Sequence, residues 1–103
     1  MSLKEVDHVF KLVRDEYGLE FELGILQEEC AELIVAVSKF KRDGNSNTLD
    51  ELFSEIADVE LMTEQLKRWF ENYREYVELV KEEKLTRLEI RVKEDRRKNG
   101  STS

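Results

Sequence analysis

No proline occurs anywhere in the 103 residues, and only four glycines do. A chain without proline contains nothing that must break a backbone hydrogen-bond ladder, and its abundance of Glu, Lys, Leu and Arg favours helix throughout. The apolar residues recur at helical spacing, which predicts an all-α fold, a four-helix bundle-like single domain over residues 1–95. The first helix is expected from Leu3 to Tyr17, opened by a Ser2-x-x-Glu5 capping box and closed by Gly18 as a left-handed C-cap. Its inner face reads Val6, Val9, Phe10, Val13 and Tyr17. The second helix spans Glu20 to Arg42 and ends in the loop Asp43-Gly44-Asn45-Ser46-Asn47. Thr48-x-x-Glu51 forms a second capping box and starts the third helix.

The apolar register from Leu52 through Trp69 runs on in phase into Tyr73, Val77 and Val80. An unbroken helix from Thr48 to Glu94 would be about 70 Å long, beyond the reach of its neighbours, so a turn belongs near Glu71-Asn72-Tyr73. A fourth helix then runs to Asp95, and residues 96–103 read as a flexible tail.

Charged residues make up 40% of the chain, with 24 acids against 17 bases and a net charge of −7, which disfavours a phosphate-neutralising surface for a nucleic-acid polymer. No apolar run approaches a membrane span and the first residues lack a signal-peptide core, so a cytoplasmic protein is expected. One cysteine, Cys30, leaves no internal disulfide and no cysteine zinc site; it reads as a small buried residue. The one histidine, His8, reads as an ordinary, partly exposed side chain, which removes the Glu-x-x-His ligands of di-iron bundles.

Several acids lie on the wrong side of their helices. At 100° per residue, Ile25, Glu29, Glu32 and Ala36 form one stripe of the second helix, flanked by Leu26, Leu33, Val37 and Phe40. On the third helix Leu52, Glu55, Val59, Met62, Leu66 and Trp69 share a face, with Asp58 one turn from Glu55. Inward carboxylates are costly alone and repel one another together; a divalent cation removes both penalties. Carboxylates three residues apart reach the same ion, and an all-oxygen set favours Mg²⁺ or Mn²⁺ over zinc. The fourth helix carries the converse pattern, with Lys84 and Arg91 on the stripe of Tyr73, Val77, Val80 and Leu88, and Arg87 at its margin. These bases read either as snorkelling stems and ion pairs or as phosphate ligands.

Glu28-Glu29-Cys30-Ala31-Glu32-Leu33, with 22 residues separating Glu32 from Glu55-Ile56-Ala57-Asp58-Val59, resembles the E-E-x-x-E … E-x-x-D signature of the MazG-like all-α nucleoside triphosphate pyrophosphohydrolases. Lys84-Leu85-Thr86-Arg87-Leu88-Glu89-Ile90-Arg91 is similar to that family's K-L-x-R-L-x-x-R pattern, so the resemblance covers most of the chain. It implies Mg²⁺-dependent hydrolysis of a triphosphate to the monophosphate and pyrophosphate. Glu29, Glu32, Glu55 and Asp58 would be metal ligands, and Lys84 with Arg87 or Arg91 would contact the β- and γ-phosphates. Glu28 matches the signature's first acid but lies off the stripe, as a general base, a partner of bound water, or a solvated side chain. Ser54 stands where the family often has another acid. Lys39 and Lys41 are weaker phosphate candidates and read rather as solvated side chains.

Trp69, Phe70, Tyr73 and Tyr76 cluster around the turn and read first as core or subunit contact; they and Phe10, Tyr17 and Phe21 are equal candidates to line a base pocket. The resemblance implies a homo-oligomer, a tetramer over a dimer, and the nearly all-round apolar second helix, with Ile34, Val35 and Ala36, agrees. The competing classes are a metal- or nucleotide-binding regulator without turnover and a structural helical module whose charges form ion networks.

Overall fold

A computed structural model of the chain describes residues 1–100. It is all-helical: α1 Leu3–Tyr17, α2 Leu19–Arg42, α3 Ser46–Trp69, a 3₁₀ turn Glu71–Tyr73 and α4 Arg74–Gly100. These fall into two compact units, Met1–Trp69 and the segment from Phe70 onward. Among the described residues no helix is long and apolar enough to cross a membrane.

In the first unit α1 opens with the expected capping box. Ser2 Oγ accepts the Glu5 N–H at 3.2 Å while its hydroxyl donates to Glu5 Oε1 at 3.1 Å. Gly18 follows, with its N–H donated to the Arg14 carbonyl at 3.1 Å. Its φ of 82° is positive as expected, but ψ of 167° lies outside the left-handed helical basin, in a region open almost only to glycine. This single extended residue lets α2 begin at once, at Leu19 rather than Glu20.

The start of α3 differs more. The cap is Asn45, not Thr48: Asn45 Oδ1 accepts the N–H groups of Asn47 at 2.9 Å and Thr48 at 3.0 Å. Thr48 Oγ1 returns the bond by accepting the Asn45 N–H at 3.0 Å, and its hydroxyl donates to the Asp43 carbonyl at 2.8 Å. Asparagine caps at least as well as threonine, and here one turn more of helix is gained by using it. The short connection makes α2 and α3 an antiparallel hairpin, the main packing of the first unit.

Buried apolar residues on the described chain are Phe10, Ala36 and Met62. The predicted stripe of α3 faces inward along its length, with Met62 buried and Leu52, Glu55, Val59, Leu66 and Trp69 half-buried. On α1, Phe10 is buried and Val6 and Val13 half-buried, but Val9 and Tyr17 are exposed. Tyr17 stacks instead on Phe21, with ring centroids 4.8 Å apart. Arg68 of α3 ties in α1: its guanidinium lies 4.5 Å over Phe10, and Nη1 donates to Asp7 Oδ1 at 2.6 Å. Cys30 is exposed rather than buried, because the step of 100° from Glu29 turns it off the hairpin face. His8 is exposed.

The second unit begins at Phe70, whose φ of −131° and ψ of 65° end the helical path where the turn was expected. Arg74 Nε donates to Glu71 Oε2 at 2.9 Å across that turn. The α4 helix does not stop at Asp95 but continues through Arg96, Arg97, Lys98 and Asn99 to Gly100. Nothing in that segment breaks a helix before glycine, and Arg97 and Lys98 suit the negative end of the helix dipole. The rest of the expected tail, residues 101–103, lies outside the described residues.

Candidate functional site

Glu29 and Glu32 stand on adjacent turns of α2, and Glu55 and Asp58 on adjacent turns of α3. Packing the two helices antiparallel brings the pairs face to face. One carboxylate oxygen from each of Glu29, Glu32 and Glu55 lies within 4.8 Å of the others. Asp58 belongs to the same electrostatic group, since its charge acts on both Glu29 and Glu55. Glu29, Glu55 and Asp58 are half-buried, and Glu32 is exposed.

Desolvation, reinforced by the charges of Glu32, Asp58 and Glu55, raises the carboxyl of Glu29 above its ordinary value. Glu55 is raised in the same way, by desolvation and then by Glu32 and Asp58. Glu29 Oε2 and Glu55 Oε2 are covered and have no hydrogen-bond partner. Covered acceptors without donors, in a group of like charges, fit a small hard cation: it would satisfy the lone pairs and cancel the repulsion together. Glu28 is exposed and stands outside the three-oxygen group.

Beside the carboxylates a pocket of about 290 Å³ opens between the two helices, lined by Glu32, Val35, Ala36, Lys39, Glu51, Ser54 and Glu55. Lys39 Nζ lies 3.9 Å from Glu51 Oε2 across it. Ser54, the departure from the resembled pattern, therefore adds a hydroxyl to this pocket rather than a fourth carboxylate. Lys41 is exposed and does not line it.

At the opposite end of the hairpin is a carboxylate that sequence reasoning missed. Glu22 is 4% exposed; Oε2 accepts the indole N–H of Trp69, and Oε1 is covered without a partner. The signal was present: Glu22 precedes Glu29 by seven residues, so it continues the same stripe. Arg14 lies 5.9 Å over the Trp69 ring. Of the two proposed aromatic groups, Trp69 thus anchors a buried carboxylate in the first unit. In the second unit Tyr73 and Tyr76 meet edge to face at 5.8 Å.

Lys84, Arg87 and Arg91 lie on α4 in the second unit and, with Leu88, line a pocket of about 280 Å³. They share a helix face as expected, but that face is exposed rather than inward. Arg87 Nη2 is 3.9 Å from Glu83 Oε2 one turn back. No family model, curated protein or solved structure matches the chain.

Proposed function

We propose that the chain is a MazG-like, Mg²⁺-dependent nucleoside triphosphate pyrophosphohydrolase, with Mn²⁺ as a substitute ion, acting on a (deoxy)nucleoside triphosphate in the cytoplasmic nucleotide pool. The observation that carries this reading is the convergence of Glu29, Glu32 and Glu55, with Asp58 beside them, leaving two covered oxygens unpartnered. A structural ion network would pair such acids with bases; here the group is acid on acid.

In this reading Glu29, Glu32, Glu55 and Asp58 hold the ion. When bound, it supplies the positive charge that an acidic site lacks toward a polyphosphate and lowers the pKa of water. Water adds to the α-phosphorus as the α–β phosphoanhydride bond breaks, giving monophosphate and pyrophosphate. Glu28 stands one residue from the ligand set, exposed, as the candidate acceptor of the water proton. Lys84, Arg87 and Arg91 are the candidate contacts for the departing pyrophosphate, offered from one face of α4.

The assay is direct: incubate the protein with a panel of triphosphates and Mg²⁺ and resolve the products. Monophosphate plus pyrophosphate is expected. Diphosphate plus phosphate, or no turnover, rejects the hydrolase reading, and saturable Mg²⁺-dependent binding without turnover would identify the regulator class instead.

A homo-oligomer, favoured as a tetramer, belongs to the same proposal. In the first unit Ile34 is 68% exposed, Phe53 61% and Leu61 54%. Large exposed apolar side chains on both helices of the hairpin support a surface that another chain covers. Sedimentation equilibrium should return about four protomer masses, and one protomer mass at micromolar concentration would overturn it.

A further inference from the structure

We infer that the pocket between α2 and α3 is an anion subsite in which Lys39 takes a phosphate group of the substrate and Glu51 is the counterion it exchanges for that phosphate. The inference rests on the reading of the neighbouring carboxylates as a site for a polyphosphate, and deepens it.

The lining is graded along its length. Glu32 and Glu55, members of the carboxylate group, form one end, and Lys39 with Glu51 the other. Lys39 is seven residues beyond Glu32 on α2, two turns or about 10 Å along the axis, so its charge lies next to the carboxylates without being drawn into them. It is the sole cation among the lining residues. Its separation of 3.9 Å from Glu51 is beyond hydrogen-bond length, and both side chains are about half exposed. An exposed pair this loose is worth little, whereas an ammonium with three donors gains much more from a phosphate oxygen.

Volume decides what enters. At about 290 Å³ the pocket is at the lower limit for small-molecule sites, room for phosphate groups but not for a whole nucleotide. Charge sets the order. Three lining carboxylates against one ammonium leave a formal −2, so an anion is repelled until a divalent cation balances that charge. Ser54, with a hydroxyl donor where a further acid would repel phosphate, is consistent with the same occupant.

The test measures binding of inorganic pyrophosphate by calorimetry, with and without Mg²⁺, alongside KM for triphosphate. Binding is expected only with Mg²⁺. Lys39→Met should weaken it roughly tenfold or more, and Lys39→Arg should restore most of the loss. Glu51→Gln should tighten it a few-fold, because it removes the competing counterion. A merely structural ion pair gives a different pattern, with both substitutions lowering stability and neither separating in sign. Affinity within twofold of the parent for Lys39→Met, weaker binding for Glu51→Gln, or no pyrophosphate binding by the parent would each overturn the inference. If binding follows Lys39 while no triphosphate is hydrolysed, the subsite stands and the hydrolase reading falls.

Discussion

Glu55→Gln is expected to stabilise the metal-free protein and, in the same variant, to lower triphosphate hydrolysis by at least about a hundredfold, the scale of losing a ligand to the ion that stabilises transition-state charge. The two effects share one cause. Desolvation and the charges of Glu32 and Asp58 hold the Glu55 carboxyl above its ordinary value of 4.5. A proton therefore binds the folded form more tightly than the unfolded one. Stability without metal is greatest below that window and falls as pH rises from about 4.5 through the raised value. Glutamine removes one of the two raised carboxyls, Glu29 being the other, so the stability curve becomes shallower there and the melting temperature at neutral pH rises. Mg²⁺ at a hundredfold excess over its Kd should raise the melting temperature of the parent by roughly 10 °C or more and that of the variant far less. An ion held as proposed would compete with the proton for the same oxygens, so apparent Mg²⁺ affinity should increase with pH across the window. A variant that melts below the parent without metal, or keeps its full response to Mg²⁺, would remove Glu55 from the ligand set.

Trp69→Phe should destabilise the fold by about 3 kcal/mol, more than Glu22→Leu, although the two side chains form one hydrogen bond. The difference lies in what each substitution leaves behind. Without the indole N–H, Oε2 loses its partner and both oxygens of the buried Glu22 are left without one, since Oε1 already has none. Without the carboxylate, what remains is one neutral donor on half-buried Trp69 rather than a stranded carboxylate. Glu22→Leu should therefore cost less than about 1 kcal/mol, and Trp69→Phe in the Glu22→Leu background should cost less than it does alone. Urea unfolding at constant m-value measures all three. Equal losses for the two single substitutions would show that the cost comes from lost packing rather than the stranded carboxylate.

The helical order and the inward stripe of α3 were legible because both depend on local periodicity. Leu52, Glu55, Val59, Met62, Leu66 and Trp69 keep one face over five turns, and their burial follows from rotation alone. The break at Phe70 was legible from length, since nothing in the residues themselves marks it. What failed was competition between similar signals. Thr48-x-x-Glu51 and Asn45-x-x-Thr48 both fit a helix start, and the second won because Asn45 satisfies two backbone donors at once. The end of α4 was placed too early because a highly charged, solvated helix has no apolar register to follow. In the candidate site, Glu29, Glu32, Glu55 and Asp58 were legible because acids on apolar stripes stand out. Glu22 was not, because near a helix N-terminus an acid is ordinary and its burial depends on the distant Trp69. That Lys39 lines a pocket was not legible for a related reason: a lysine late in a helix suits the dipole, and only the partner helix shows that a pocket lies beside it.

The connection from Asp43 to Thr48 acts on the carboxylates from a distance. Glu32 lies 11 residues before it and Glu55 seven after it, about 16 and 10 Å along their helices. With the cap held fixed, one residue inserted into α3 between Thr48 and Glu55 would slide Glu55 and Asp58 about 1.5 Å along the helix and turn them by about 100°. The side-chain bonds of Asn45 and Thr48 thus act as a gauge block for the hairpin. The register of the carboxylates depends on bonds made where the chain turns around, by side chains that are not themselves in the carboxylate group.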